Sequence, residues 1–147
     1  MILVGIDIGK LSHMFCVMDS STGEFLVNPI SFKNNKQGFD SFMDSINSFS
    51  KKDVLIGMED TGHYHFNLLK FLLDSGYAVA LINPITTDMT RKMQLGATKD
   101  DDLDARLICD VLASINAGKA TGSLRSTALI FMSRNVLPAS ITTSRNS

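Results

Sequence analysis

The sequence predicts an α/β fold, a mixed five-stranded sheet flanked by helices. Three observations carry that expectation. The first 32 residues hold three short apolar runs separated by turn chemistry. From about residue 36, apolar residues recur instead at three- and four-residue spacing, and such stretches alternate with two further short apolar runs. The length, 147 residues, is that of one ordinary domain.

Residues 1–8, 13–19 and 24–32 are the first three strands. Gly9-Lys10-Leu11-Ser12 turns the first back into the second. Ser20-Ser21-Thr22-Gly23 is hairpin chemistry between the second and third, so an antiparallel meander follows. Phe39, Phe42, Met43, Ile46 and Phe49 then mark an amphipathic helix. Residues 53–58, DVLIGM, read as a buried strand. A helix over 63–75 carries Phe66, Leu69, Leu72 and Leu73 and is closed by Gly76. Residues 77–82 are another buried strand, ended by Asn83-Pro84. A shorter helix over 87–95 stops at Gly96, and a long one from about 99 to 116 is capped by Gly118. The order β-β-β-α-β-α-β-α is that of the ribonuclease H-like fold. The actin-like ATPase fold begins almost the same way, so element order alone leaves two enzyme classes open.

Residues 1–118 thus form one domain and 119–147 a tail. Of the tail's 29 residues ten are Ser or Thr, four are Lys or Arg and none is acidic, a composition that reads as weakly ordered or as the remnant of a longer protein. Over the whole chain, 44% hydrophobic and 20% charged residues exclude disorder, collagen and a long coiled coil for most of the length. No apolar run approaches the roughly 20 residues that span a bilayer. The N-terminus, MILVGIDIGK, has neither a basic segment nor a cleavage site, which argues against secretion. Cys16 and Cys109 read as two reduced, partly buried thiols of a cytoplasmic protein. Fourteen basic and fifteen acidic residues give a net charge of −1. A domain that grips DNA through its own surface is usually basic. With DNA as substrate, metal ions or a further segment must supply positive charge.

The carboxylates carry the chemistry. Asp7 lies within an apolar strand, where a charge is costly unless a cation, metal or donor compensates it. Glu59 directly follows the strand 53–58, at the strand end where α/β sheets collect ligands. Its neighbour Asp60 reads as a cap for the next helix. The third cluster is Lys99-Asp100-Asp101-Asp102-Leu103-Asp104. Acidic residues in a first helical turn suit the macrodipole, but the wheel separates them. At about 100° per residue, Asp104 falls in the middle of the arc of Leu103, Leu107, Ile108, Val111, Leu112 and Ile115. Asp100 and Asp101 fall inside its edges, and Asp102 points away. Asp104 and one of Asp100 or Asp101 therefore face the sheet. Four such carboxylates repel unless divalent metal sits between them. Oxygen ligands suit Mg2+ or Mn2+, and two ions roughly 4 Å apart serve phosphodiester displacement. His13, His63 and His65 show no zinc spacing, although His63 and Tyr64 are placed to line the same cleft. Lys10, Arg91, Lys92 and Lys99 lie near loops, where solvated basic residues are the common case, and the eight methionines read as core filler.

The segments GIDIGKLSHMFCVMD, MEDTGHYHFNLLKFLLDSGYAVALINP and TKDDDLDARLIC resemble the N-terminal domain of the DEDD-type insertion-sequence transposases, relatives of the Piv-like DNA invertases. The resemblance covers roughly residues 2–117, with the spacing of all three motifs kept. It implies a RuvC-like, ribonuclease H-like fold. It also implies that Asp7, Glu59, Asp101 and Asp104 are the four catalytic metal ligands. The last two fall in a usual Lys-Thr-Asp-x-x-Asp-Ala pattern, in which Asp100 here replaces the Thr. Relatives carry a coiled coil and a C-terminal domain with a serine nucleophile, and some are guided by a structured RNA. Neither part has a match in residues 119–147, so the chain reads as truncated and incomplete as a catalyst.

The sequence therefore points to a transposase domain that acts on DNA through a four-carboxylate Mg2+ or Mn2+ site. Homo-oligomers or full-length transposase are the expected protein partners, with no membrane. Two other readings stand beside it: the N-terminal lobe of an actin-like ATPase or sugar kinase, and a non-catalytic, nucleic-acid-binding remnant.

Overall fold

Strand β1 (Ile2–Asp7) is flanked on one side by an antiparallel hairpin partner and on the other by a parallel strand. The computed structural model describes residues 1–94, 101–117 and 128–131. The chain turns from β1 into β2 (Ser12–Asp19) and then into β3 (Phe25–Lys33), completing the meander. Helix α1 (Lys36–Ile46) and a short 3-10 turn carry it across to β4 (Val54–Glu59), parallel to β1. Helix α2 (Phe66–Asp74) leads to β5 (Ala78–Ile82), parallel to β4. Helices α3 (Pro84–Gln94) and α4 (Asp101–Asn116) follow. The sheet order is β3-β2-β1-β4-β5-β6.

All five expected strands form, each within one residue of its expected bounds. The sixth, β6 (Ala128–Phe131), is additional and pairs antiparallel with β5. It belongs to the stretch read from composition as a tail. It is the one long apolar run there, and it covers an edge of β5 that would otherwise stay unpaired. Residues 118–127 and 132–147 lie outside the described part, as do the helix stops expected at Gly96 and Gly118.

Local chemistry sets the helix starts. Asn35 caps α1, its side chain accepting from the Gly38 amide at 2.8 Å. Helix α3 begins at Pro84, three residues before the expected start at Thr87. Proline lacks only an amide that has no partner in a first turn, and the Asn83 side chain accepts from the Ile85 amide at 3.0 Å. Gly76 closes α2 at φ +93°, as its position after the apolar run predicts. Among the described residues no helix is long and apolar enough to cross a membrane.

The two faces of the sheet are packed differently. Val4, Ile6, Phe15, Ile56 and Met58 point into one core, closed by Phe39, Phe42 and Ile46 of α1 and Leu68, Leu69 and Leu72 of α2. Leu3, Cys16, Leu55, Ala78 and Ala80 point to the other, which α4 covers with Ala105, Ile108, Cys109 and Leu112. On that second face Gly5 and Gly57 are partners across β1 and β4. A Cβ on Gly5 would stand 2.3 Å from the Ala105 carbonyl oxygen, and one on Gly57 2.7 Å from the Leu112 side chain. Helix α4 thus rests on bare backbone. Cys16 and Cys109 are free thiols, as expected, but fully rather than partly buried, with sulfurs 3.6 Å apart. The contact with Cys16, together with burial, pushes the Cys109 thiol far up, so it is inert.

Candidate functional site

Asp7 and Glu59 end neighbouring parallel strands, directly after the register pair Ile6–Met58. Side chains alternate along a strand, so both fall on the face of Gly5 and Gly57, the face that α4 covers. Adjacent strands run about 4.8 Å apart. Both residues are half-buried. One Glu59 carboxylate oxygen accepts a short hydrogen bond from the Thr87 hydroxyl, which also lies 2.9 Å from the Pro84 carbonyl. The single hydroxyl proton is shared between those two acceptors.

Helix α4 runs against the direction of β1, since Ala105 lies over Gly5 while Cys109 reaches back to the Leu3 carbonyl. Its N-terminal turn therefore lies toward the strand ends. Asp104, only 5% exposed, is buried there, as its place on the wheel predicts. Its Oδ1 accepts from Arg91 Nε at 3.1 Å and Arg91 Nη2 at 2.7 Å. Arg91 Nη1 donates to Asp88 at 2.5 Å. Burial acts to lower the Arg91 pKa, but the hydrogen bonds and charge of Asp104, then Asp88, outweigh it and hold the guanidinium charged. Asp101 opens α4, one turn before Ala105. The side chains of Asp101 and Asp102, and the whole of Lys99 and Asp100, lie outside the described residues. So the choice between Asp100 and Asp101 does too. The structure thus brings Asp7, Glu59 and Asp104 to one end of one face. Among the described residues, however, no three His, Cys, Asp or Glu side chains are grouped closely enough to hold one metal ion together.

The feature missed in the sequence is the orientation of α3. Its apolar residues Ile85, Met89 and Met93 recur every fourth position, which ordinarily marks a core face. They point to solvent instead, Met93 at 85% exposure, so at least these methionines are not core filler. Thr87 and Arg91, also four apart, are buried. The helix is turned polar side inward because the acidic end of the sheet needs donors. Arg91 is accordingly no solvated surface base. The signal was present in the spacing Thr87–Asp88–Arg91, two groups one turn from a third, but only the acidic neighbours give it meaning.

The loop after β4 corrects another expectation. Asp60 does not cap α2, which starts six residues later at Phe66. Its carboxylate accepts from the Gly62 amide at 3.1 Å and shapes a turn. His65 is buried, its Nδ1 accepting from the Thr61 amide at 3.3 Å. His63 and Tyr64 are exposed, edge-to-face against each other.

The donor set at the strand ends is all carboxylate oxygen, which suits hard divalent cations such as Mg2+ or Mn2+. Asp104 differs from the other two in that its buried carboxylate is already paired with a cation, the Arg91 guanidinium.

A family model described as a transposase, of the DEDD IS110 type, matches residues 4–128. The chain belongs to this transposase family. No curated protein matches the sequence. Among solved structures, the transposase domain is similar to T. thermophilus RuvC in complex with Holliday junction substrate. Identity is 15% over 82% of this chain and 98% of the RuvC chain, with a TM-score of 0.52. That likeness is one of fold. It makes the transposase domain RuvC-like, and so decides between the two folds that element order left open.

Proposed function

We propose that this chain is the RuvC-like N-terminal domain of a transposase, in which Asp7, Glu59, Asp101 and Asp104 hold Mg2+ or Mn2+ for cleavage of DNA strands. The observation that carries the reading is Asp104. A carboxylate buried in the apolar arc of a helix, toward the end of a sheet that bears two more carboxylates, is costly unless a cation compensates it. Divalent ions bound there would supply charge for the attacking and leaving oxygens of a phosphodiester. The chain's own residues fix geometry. Asp7 and Glu59 hold their oxygens at strand spacing on a rigid sheet, and α4 adds the carboxylates of its first turn. Thr87 orients Glu59 from one side. With a chain net charge of −1, the protein relies on those cations to bring a phosphate backbone to these carboxylates.

In this reading the substrate is DNA, the chain works in the cytoplasm, and homo-oligomers or full-length transposase complete the active site with a serine nucleophile. A structured guide RNA is a further partner. The non-catalytic alternative draws on the same ion pair, because a carboxylate neutralised by arginine needs no metal.

Thermal unfolding with and without Mg2+ or Mn2+ separates the two. For the parent the metal is expected to raise the midpoint, as any ligand of the native state does. For Asp7→Asn and Asp104→Asn it is expected to do nothing, and cleavage of branched DNA is then expected from the assembled protein. If metal leaves the parent unmoved, and the Asn variants are the more stable, the chain is a relic without a metal site.

A further inference from the structure

Helix α3 grips both ends of the acidic cluster. Thr87 holds Glu59, and Arg91, one turn on, holds Asp104. Arg91 is itself 9% exposed and charged, so it is a buried cation placed on a carboxylate that the proposed reaction needs for metal. A divalent ion on the same carboxylate would lie within a few ångströms of that guanidinium, in surroundings that screen poorly, and the two repel. The arginine also has somewhere else to go. Asp88, one turn earlier on the same helix and largely exposed, already takes Nη1 at 2.5 Å. An inner and an outer carboxylate therefore compete for one guanidinium, and the outer one stays reachable when the inner one is taken.

We propose that Arg91 is an internal counter-cation that occupies the Asp104 carboxylate until metal displaces it toward Asp88. Pairing of Arg91 with Asp104 and divalent binding at the cluster are mutually exclusive, and α3 is the latch that couples them. Among the described residues no three carboxylates are grouped in the latched state. Release of Arg91 frees Asp104 for the cluster. The inference rests on the metal-binding reading of Asp7, Glu59, Asp101 and Asp104. Arg91 is in this sense a positioning residue and not a catalytic one.

The test is a Mn2+ titration of the full chain, followed by thermal midpoint and by the electron paramagnetic resonance of free Mn2+. Arg91→Met keeps the side-chain bulk and removes the competitor. It is expected to lower the midpoint without metal and to bind Mn2+ at least about tenfold more tightly than the parent. Asp88→Asn alters an exposed position, so it folds even where the first variant does not. By removing the outer anchor it is expected to weaken Mn2+ binding several-fold. Opposite shifts in the two variants support the latch. Equal or weaker binding by Arg91→Met, or tighter binding by Asp88→Asn, overturns it while leaving the metal site standing. If no variant and no parent binds Mn2+, the metal reading itself fails and the latch falls with it.

Discussion

The α1–α2 face of the sheet is built from bulk, whereas the α4 face is built from its absence. On the first face Phe42 stacks on Phe32 with centroids 4.8 Å apart and meets Phe15 edge-on at 4.8 Å. Large rings fill space and bury area, which is stability. On the second face Gly5 and Gly57 leave nothing between α4 and the strands. That close approach gains less apolar area, but it fixes the height of α4, and with it Asp104, above the sheet. One face holds the fold together and the other places charge. Asp7, Glu59 and Asp104, at one end of the sheet, are all on the second.

Phe42→Ala tests the first half of that contrast and has the largest expected effect. Phe42 is fully buried, so its removal leaves a cavity among rings that cannot collapse far. The expected loss is about 3–5 kcal/mol in urea unfolding. Under conditions where the variant is still folded, its Mn2+ affinity is expected to match the parent's. A change in affinity would mean that the two faces are coupled through the sheet and that the division of labour is false.

A smaller loss is expected on the other face, together with a sharper functional consequence. Gly5→Ala drives a Cβ against a backbone carbonyl, whereas Gly57→Ala meets the Leu112 side chain, its Cγ and both methyls. A leucine can change rotamer, but a helix backbone has to move as a body. Gly5→Ala is therefore expected to cost about 1–3 kcal/mol, and Gly57→Ala less. Gly5→Ala is also expected to weaken Mn2+ stabilisation, because α4 is lifted with Asp104 on it. Equal costs at the two positions would show that α4 rides loosely and that close approach is not what sets the site.

The same contrast explains what was legible in the sequence. Periodicity and turn chemistry report burial against apolar neighbours, so the five strands and the helices of the α1–α2 face could be read directly. Asp104 was legible for the complementary reason, a charge in the middle of an apolar arc. Helix α3 was not. Its apolar stripe, Ile85, Met89 and Met93, faces water, and its buried residues are Thr87 and Arg91. Period analysis assumes that the interior is apolar, and at the acidic end of this sheet it is not. Strand β6 escaped for another reason. Four residues in a Ser- and Thr-rich stretch carry little pattern of their own, and the free edge of β5 selects them.

The smallest expected effect is a pH dependence, and it belongs to the face built from bulk. His13 is buried against Phe32 and Phe39, with Nδ1 accepting from the Gly9 amide at 3.1 Å. Burial lowers its pKa, and the neighbouring Asn34 side chain opposes that only in part. The folded state therefore keeps His13 neutral where the unfolded chain, with a pKa of about 6.5, takes up a proton. Stability from this residue is complete above that unfolded value and falls as pH drops below it. His65, lowered chiefly by burial, adds a slope of the same sign. Denaturation midpoints are expected to decline between about pH 7.5 and pH 5.5, and His13→Gln is expected to flatten the decline without abolishing it. An unchanged slope in His13→Gln would assign the whole effect to the loop after β4. The pH sensitivity would then sit at the acidic end of the sheet, and the aromatic face would be electrostatically silent.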